Sequence, residues 1–197
     1  MKHPYWALIL LLVLPAFVRT QQSQQPKGGP DVVKVNKITI PKKELRFEVE
    51  VPASVDAVWE AMTTAQGMMT WITPDARVDL RAGGDWLAMF PGAAPGGGTV
   101  ISFQPKTRLE LSAMAPEKFP TVRRDRTNAL FEFESVGPST TLVRLTQTGW
   151  KDGPEWDAAF DYLASGNAIL LTMLRQRFIS GPTDWKALFG QKDAKRG

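Results

Sequence analysis

PEWDAAFDYLASGNAILLTMLRQRFI, residues Pro154 to Ile179, sets Trp156, Phe160, Leu163, Asn167, Leu170, Leu171, Leu174 and Phe178 at helical spacing. A helix of about 24 residues is about 36 Å long, enough to lie across a whole curved sheet. Arg175 and Arg177 suit its negative end, and Gly181 then Pro182 are stop signals. One polar residue interrupts the apolar stripe. Asn167 falls four residues after Leu163 and four before Leu171, where an unpaired amide costs about 1 to 3 kcal/mol. Its partner is a backbone carbonyl, a buried water or the polar head of a ligand.

Upstream, the period changes from helical to alternating. From Lys43 to Val51, Leu45, Phe47, Val49 and Val51 share one side and Arg46, Glu48 and Glu50 the other, the pattern of a strand with one wet face. Ser54 and Asp56 then cap a helix in which Val55, Val58, Trp59 and Met62 share a face, and a second short helical stretch, Ala65 to Ile72, holds Met68, Met69 and Trp71. The middle of the chain reads as a meander. Its strands carry Val78 and Leu80; Trp86, Ala88 and Phe90; Thr99, Ile101 and Phe103 on one face; Leu109, Leu111 and Ala113; Phe131 and Phe133; and Val143 and Leu145. Glu132 and Glu134 face water, because a one-residue slip would bury both carboxylates. Each strand has one apolar face, so the sheet is covered on one side only, and the long helix is the cover.

Composition limits the chemistry. The chain has no Cys and a single His, His3, so once the leader is removed no imidazole remains for a triad, a general base or a metal site, and no thiolate or disulfide is available. Neither a metal nor a cofactor is expected. Residues 1–20 read as a signal peptide, with basic Lys2, an apolar run from Trp6 to Val18 shorter than a spanning helix needs, and a small-residue end. The alternative is an uncleaved membrane anchor. A secreted or periplasmic location follows from the first reading. Residues 21–31, QQSQQPKGGPD, form a flexible linker without apolar side chains, 32–189 the folded domain, and 190–197 a charged tail. Without the leader the chain carries 22 basic against 20 acidic side chains, a balance of +2. The densest basic run, Arg123, Arg124 and Arg126, is broken by Asp125 and reads as a solvated loop, so nucleic acid is not an expected partner.

The stretches VPASVDAVWEAMTTAQGMMTWI, VDLRAGGDW and LVRLTQTGWKDGPEWDAAFDYL resemble the SRPBCC superfamily, which includes START domains and birch-pollen-allergen-like proteins. Within it they are most similar to the branch related to the C-terminal domain of the activator of the heat-shock-protein-90 ATPase. The resemblance covers about Glu44 to Trp185. It implies an α+β helix-grip fold: a curved antiparallel sheet of about seven strands wrapped around a long C-terminal helix, with two short helices after the first strand. It also implies a pocket between sheet and helix that takes apolar ligands, and the superfamily hosts carriers, cyclases, hydrolases and uncharacterised binders on this one scaffold.

The walls of that pocket would be Trp59, Met62, Met69, Trp71, Phe90, Phe103, Phe131, Phe133, Phe160, Asn167 and Leu171. A packed core uses the same residue types at the same spacings. The leading reading is an exported binder or carrier of a small apolar ligand. One alternative is a cofactor-free cyclase or hydrolase in the same cavity, drawing on Asp75, Asp79, Asp85 or Tyr162; acids beside turns are more often solvated. Another is a protein-interaction module like the chaperone-ATPase activator. A closed core would favour the last, and a buried carboxylate would favour the enzyme. The run Gly96 to Gly98 lacks a following GK[ST] and reads as a hairpin loop beside the cavity mouth rather than a phosphate loop.

Overall fold

The computed structural model describes residues 32–190. The expected leader (1–20), the linker (21–31) and residues 191–197 of the expected tail lie outside the described residues. The elements are β1 (Lys34–Ile38), β2 (Glu44–Val51), α1 (Val55–Thr63), α2 (Ala65–Met69), β3 (Asp75–Val78), β4 (Asp85–Met89), β5 (Gly96–Gln104), β6 (Arg108–Met114), α3 (Pro120–Asp125), β7 (Thr127–Gly137), β8 (Thr140–Thr148), α4 (Pro154–Ser180) and α5 (Trp185–Gly190). One antiparallel sheet of eight strands runs in the order β1-β2-β8-β7-β6-β5-β4-β3 around the long α4, the helix-grip arrangement.

Register carries the apolar alternation across the sheet. Val35, Phe47, Leu145, Phe131, Leu109 and Phe103 pair strand by strand from β1 to β5, so all six point to the same face. The row is buried at Phe47, Leu145, Phe131 and Leu109 and opens at its two ends, Val35 and Phe103. On the opposite face the matching row is Lys34, Glu48, Arg144, Glu132 and Arg108, in which charge alternates at every step. Arg144 bridges Glu48 at 3.3 Å and Glu134 at 2.6 Å. This face is wet, as Glu132 and Glu134 demand.

The covering layer has three parts. α4 packs on β2 and β1; α1 lies over β7 and β8; α2 sits against β3. Ser54 caps α1 by accepting a hydrogen bond from the Ala57 amide, and Trp71 and Trp86 anchor the layer by donating their indole N–H to the carbonyls of Ala61 (2.9 Å) and Met62 (2.6 Å). Phe133 is therefore roofed by α1, where Trp59 meets its ring edge-on, rather than by the long helix.

Several expectations are corrected. The strands number eight because KVNKI pairs as an edge strand; its residues are nearly all exposed, so no buried face marks it in sequence. The two short helices consequently follow the second strand. Thr99, Ile101 and Phe103 do not share a buried face: Gly98 and Val100 point inward, and a bulge between Val100 and Ser102 turns Ile101 out. Gly96 to Gly98 are not loop but the start of β5, paired with Ala88, Leu87 and Trp86. A Cβ at Gly98 would stand 2.4 Å from the Ser112 carbonyl oxygen, so the close approach of β5 to β6 requires glycine there. The basic run belongs to α3 and its C-cap, not to a solvated loop.

Candidate functional site

The centre of the molecule beneath α4 is apolar except at one point. Alternation along β8 turns Thr141, Val143, Leu145 and Gln147 inward, which leaves the Gln147 amide 4% exposed, level with Ala129 and Leu45 on neighbouring strands. Gln147 Nε2 donates to Thr127 Oγ1 at 2.8 Å, and Gln147 Oε1 accepts from Asn167 Nδ2 at 2.7 Å. The partner of Asn167 is thus a side chain across the sheet–helix interface, neither a backbone carbonyl nor a water. Among the described residues nothing bonds to Asn167 Oδ1, and that atom is not sealed away.

The seal of α4 is loosest at this level. Its buried residues are Trp156, Ala159, Phe160 and Ala164 before the polar chain and Leu171 and Leu174 after it. From Ser165 to Leu170 no helix residue is buried, although Leu163, Ala168 and Leu170 pack against the core. Gly166 does not break the helix, which runs unbroken through it.

The eleven predicted wall residues fall in four places. Met62, Trp71, Phe131, Phe133, Phe160 and Leu171 are buried in one continuous core and fill the interior by packing on one another. Trp59 and Asn167 are half-buried at its roof. Met69 and Phe90 lie beneath the C-terminal segment, where Trp185 donates to the Met69 carbonyl at 2.5 Å and meets Phe90 edge-on. Phe103 keeps the inward register but stands at the sheet end, 37% exposed. The residues that sequence reasoning passed over are Gln147, Thr127 and Trp86; Gln147 was detectable as a polar side chain at an inward position of TTLVRLTQT.

Among the described residues, two surface hollows lie away from the predicted set. One, of about 720 Å³, lies between Val32 to Asn36 and the Ala168 and Thr172 side of α4. The other, of about 450 Å³, is lined by Met114, Glu117, Pro120, Arg123, Arg124 and Arg126.

Acid–base groups stand outside the interior. Asp79 pairs with Arg81 at 2.7 Å and Asp85 with Arg77 at 3.3 Å, beside the turn that joins β3 to β4, and Asp75 is exposed. Tyr162 lies against Phe119 with the Lys118 ammonium over its ring; burial pushes the phenol up and the ammonium down from their ordinary values. Among the described residues no carboxylate is buried and no cluster of carboxylate or imidazole side chains is placed to hold a metal ion.

The profile of the family described as Activator of Hsp90 ATPase homolog 1-like protein matches residues 52–178. No curated protein matches the chain. Among solved structures, the chain is similar to the Aha1 dimer from Colwellia psychrerythraea, with a TM-score of 0.57 at 21% identity over 70% of this chain and 97% of that one. It is also similar to CalU16 from Micromonospora echinospora, with a TM-score of 0.53 at 20% identity over 82% and 91%. DynU16, from the dynemicin biosynthetic locus, gives a TM-score of 0.56 at 19% identity over 72% of this chain and 49% of that one. At these identities the likeness is one of fold.

Proposed function

We propose that this chain, which belongs to the activator of Hsp90 ATPase homolog 1-like family, is an exported binder or carrier of a small apolar ligand bearing a hydrogen-bonding head. The observation that carries this reading is the coincidence of the chain from half-buried Asn167 to buried Gln147 and Thr127 with the least sealed turns of α4. An apolar body would lie against Phe131, Phe160 and Leu171, and its head would exchange hydrogen bonds with the open side of the Asn167 amide. Because those side chains pack on one another here, entry requires α4 to lift locally, which its half-buried middle supports.

The test compares Asn167→Leu with the wild-type chain using naphthol and naphthalene, one ligand with and one without a hydroxyl, by calorimetry. Naphthol binding should weaken by about 1 to 3 kcal/mol and naphthalene binding should hold, with the melting temperature as a control for folding. Equal losses for the two ligands would remove Asn167 from the site. A second reading, a protein-interaction module, is favoured by the mutual packing of the predicted wall residues. The enzymatic reading draws no support from the positions of Asp75, Asp79 and Asp85.

A further inference from the structure

The backbone at Arg126 is unusual. It closes α3 as C-cap with φ 68° and ψ 162°, a region that is essentially glycine's. Its side chain lines the 450 Å³ hollow beside α3, yet its Nη1 is buried without a hydrogen-bond partner. The charges around it leave it uncompensated. Arg123 is committed to backbone carbonyls, donating to Ala115 at 2.8 Å and Pro95 at 2.7 Å. Arg124 is paired with Asp125, and the same carboxylate takes Lys151 at 2.9 Å. The acid among the residues lining the hollow, Glu117, makes no ion pair with Arg126 or any other described residue, and three arginines on the same lining outnumber it. Burial, then the neighbouring Arg123 charge, lowers the Arg126 guanidinium from its ordinary value, the signature of a cation short of a counter-charge. Met114 and Pro120 supply an apolar wall on the same hollow.

We propose that the hollow beside α3 is an oxyanion site, which takes a carboxylate or phosphate head carried on a small, partly apolar body. Arg126 is its anchor, since a guanidinium fork matches either head in two parallel hydrogen bonds. Strained backbone held in place by surrounding structure is a feature of ligand sites, and the Nη1 donor, sealed from solvent as it stands, is met once the guanidinium swings toward an oxyanion in the hollow. The site shares no residue with the interior reading above and stands without it.

Inorganic phosphate and hexanoate, titrated separately into the isotopically labelled protein at constant ionic strength, should each give saturable amide shifts centred on residues 114–127. Tighter phosphate marks a phosphate-bearing ligand and tighter hexanoate a carboxylate on an apolar body. Arg126→Gly removes the guanidinium at a conformation glycine adopts freely, so the variant keeps its fold with an unchanged or higher melting temperature. Its affinity for both probes should fall roughly tenfold or more. Lys106→Gln, which removes a cation paired instead with Asp56 on α1, should bind as the wild type does. No saturable shift, wild-type affinity in Arg126→Gly, or an equal loss in Lys106→Gln would each overturn the proposal.

Discussion

Phe133 is 5% exposed, with Trp59 edge-on to its ring at a centroid distance of 5.5 Å. It is therefore a packing residue of α1 against β7, and Phe133→Ala should cost about 3 to 5 kcal/mol, read as a fall in the urea midpoint. A loss below about 1 kcal/mol would mean that the site already lacks packing partners. Alternation in FEFE was enough to choose the buried face, because burying Glu132 and Glu134 is too costly to compete. It did not choose the roof, since α1 and α4 both offer apolar stripes. Asn167 was legible as a polar break in such a stripe, whereas its partner required registering β8 against α4. Phe103 was not legible as exposed, because it keeps the inward register the alternation gave it and is uncovered only by its place at the end of the sheet. Nor was Arg126, whose backbone cost of about 1 to 3 kcal/mol leaves no mark in residue type.

Elements in this fold are held by their neighbours' side chains as much as by their own. α3 has no side-chain cap from its N-cap residue, Phe119. Instead Glu155, in the first turn of α4, accepts from the Thr121 and Val122 amides at 2.6 and 3.1 Å. Burial alone works to raise the Glu155 carboxyl, but the Thr121 and Val122 hydrogen bonds outweigh it and hold the group below its ordinary value. A carboxyl depressed in the folded state stabilises above its unfolded pKa, and that contribution is lost as pH falls through the folded one. Glu155→Gln should therefore lower the urea midpoint at about pH 7, and the gap to wild type should close as the pH falls below the ordinary carboxylate range. A gap that persists unchanged into acid would assign the effect to packing. Apart from β5, whose bulge breaks its period, the strands with one buried face, the Ser54-capped α1 and the long α4 were readable from period, since burial of one face imposes it. β1, α3 and α5 were not: each is short and held by pairing, by a foreign cap or by Trp185 reaching Met69, and none runs long enough for a period to stand out.

At the scale of the whole molecule, the two faces of the sheet divide the work. The outer face carries the alternating row from Lys34 to Arg108, which matches charges across strands and suits contact with water. The inner face and its helices enclose the main apolar core, the interior that a ligand of the proposed kind would enter. Among the described residues no helix is long and apolar enough to cross a membrane, and the apolar run from Trp6 to Val18 lies outside them. Export and ligand binding are separate claims that one measurement reads together. Protein recovered from the envelope or medium, sprayed under native conditions, should show a mass lacking residues 1–20 and a second, heavier species that releases a small molecule on activation. Asn167→Leu should recover the same cleaved mass with less of the heavier species, because cleavage depends on the leader and retention on the interior. Full-length chain found only in the cytoplasm would remove the export claim and leave the binding claim to calorimetry. Cleaved chain whose heavier species is unchanged in Asn167→Leu, with naphthol binding also unchanged, would remove the polar chain from the site. The packed interior would then stand as core, and the interaction-module reading would take precedence.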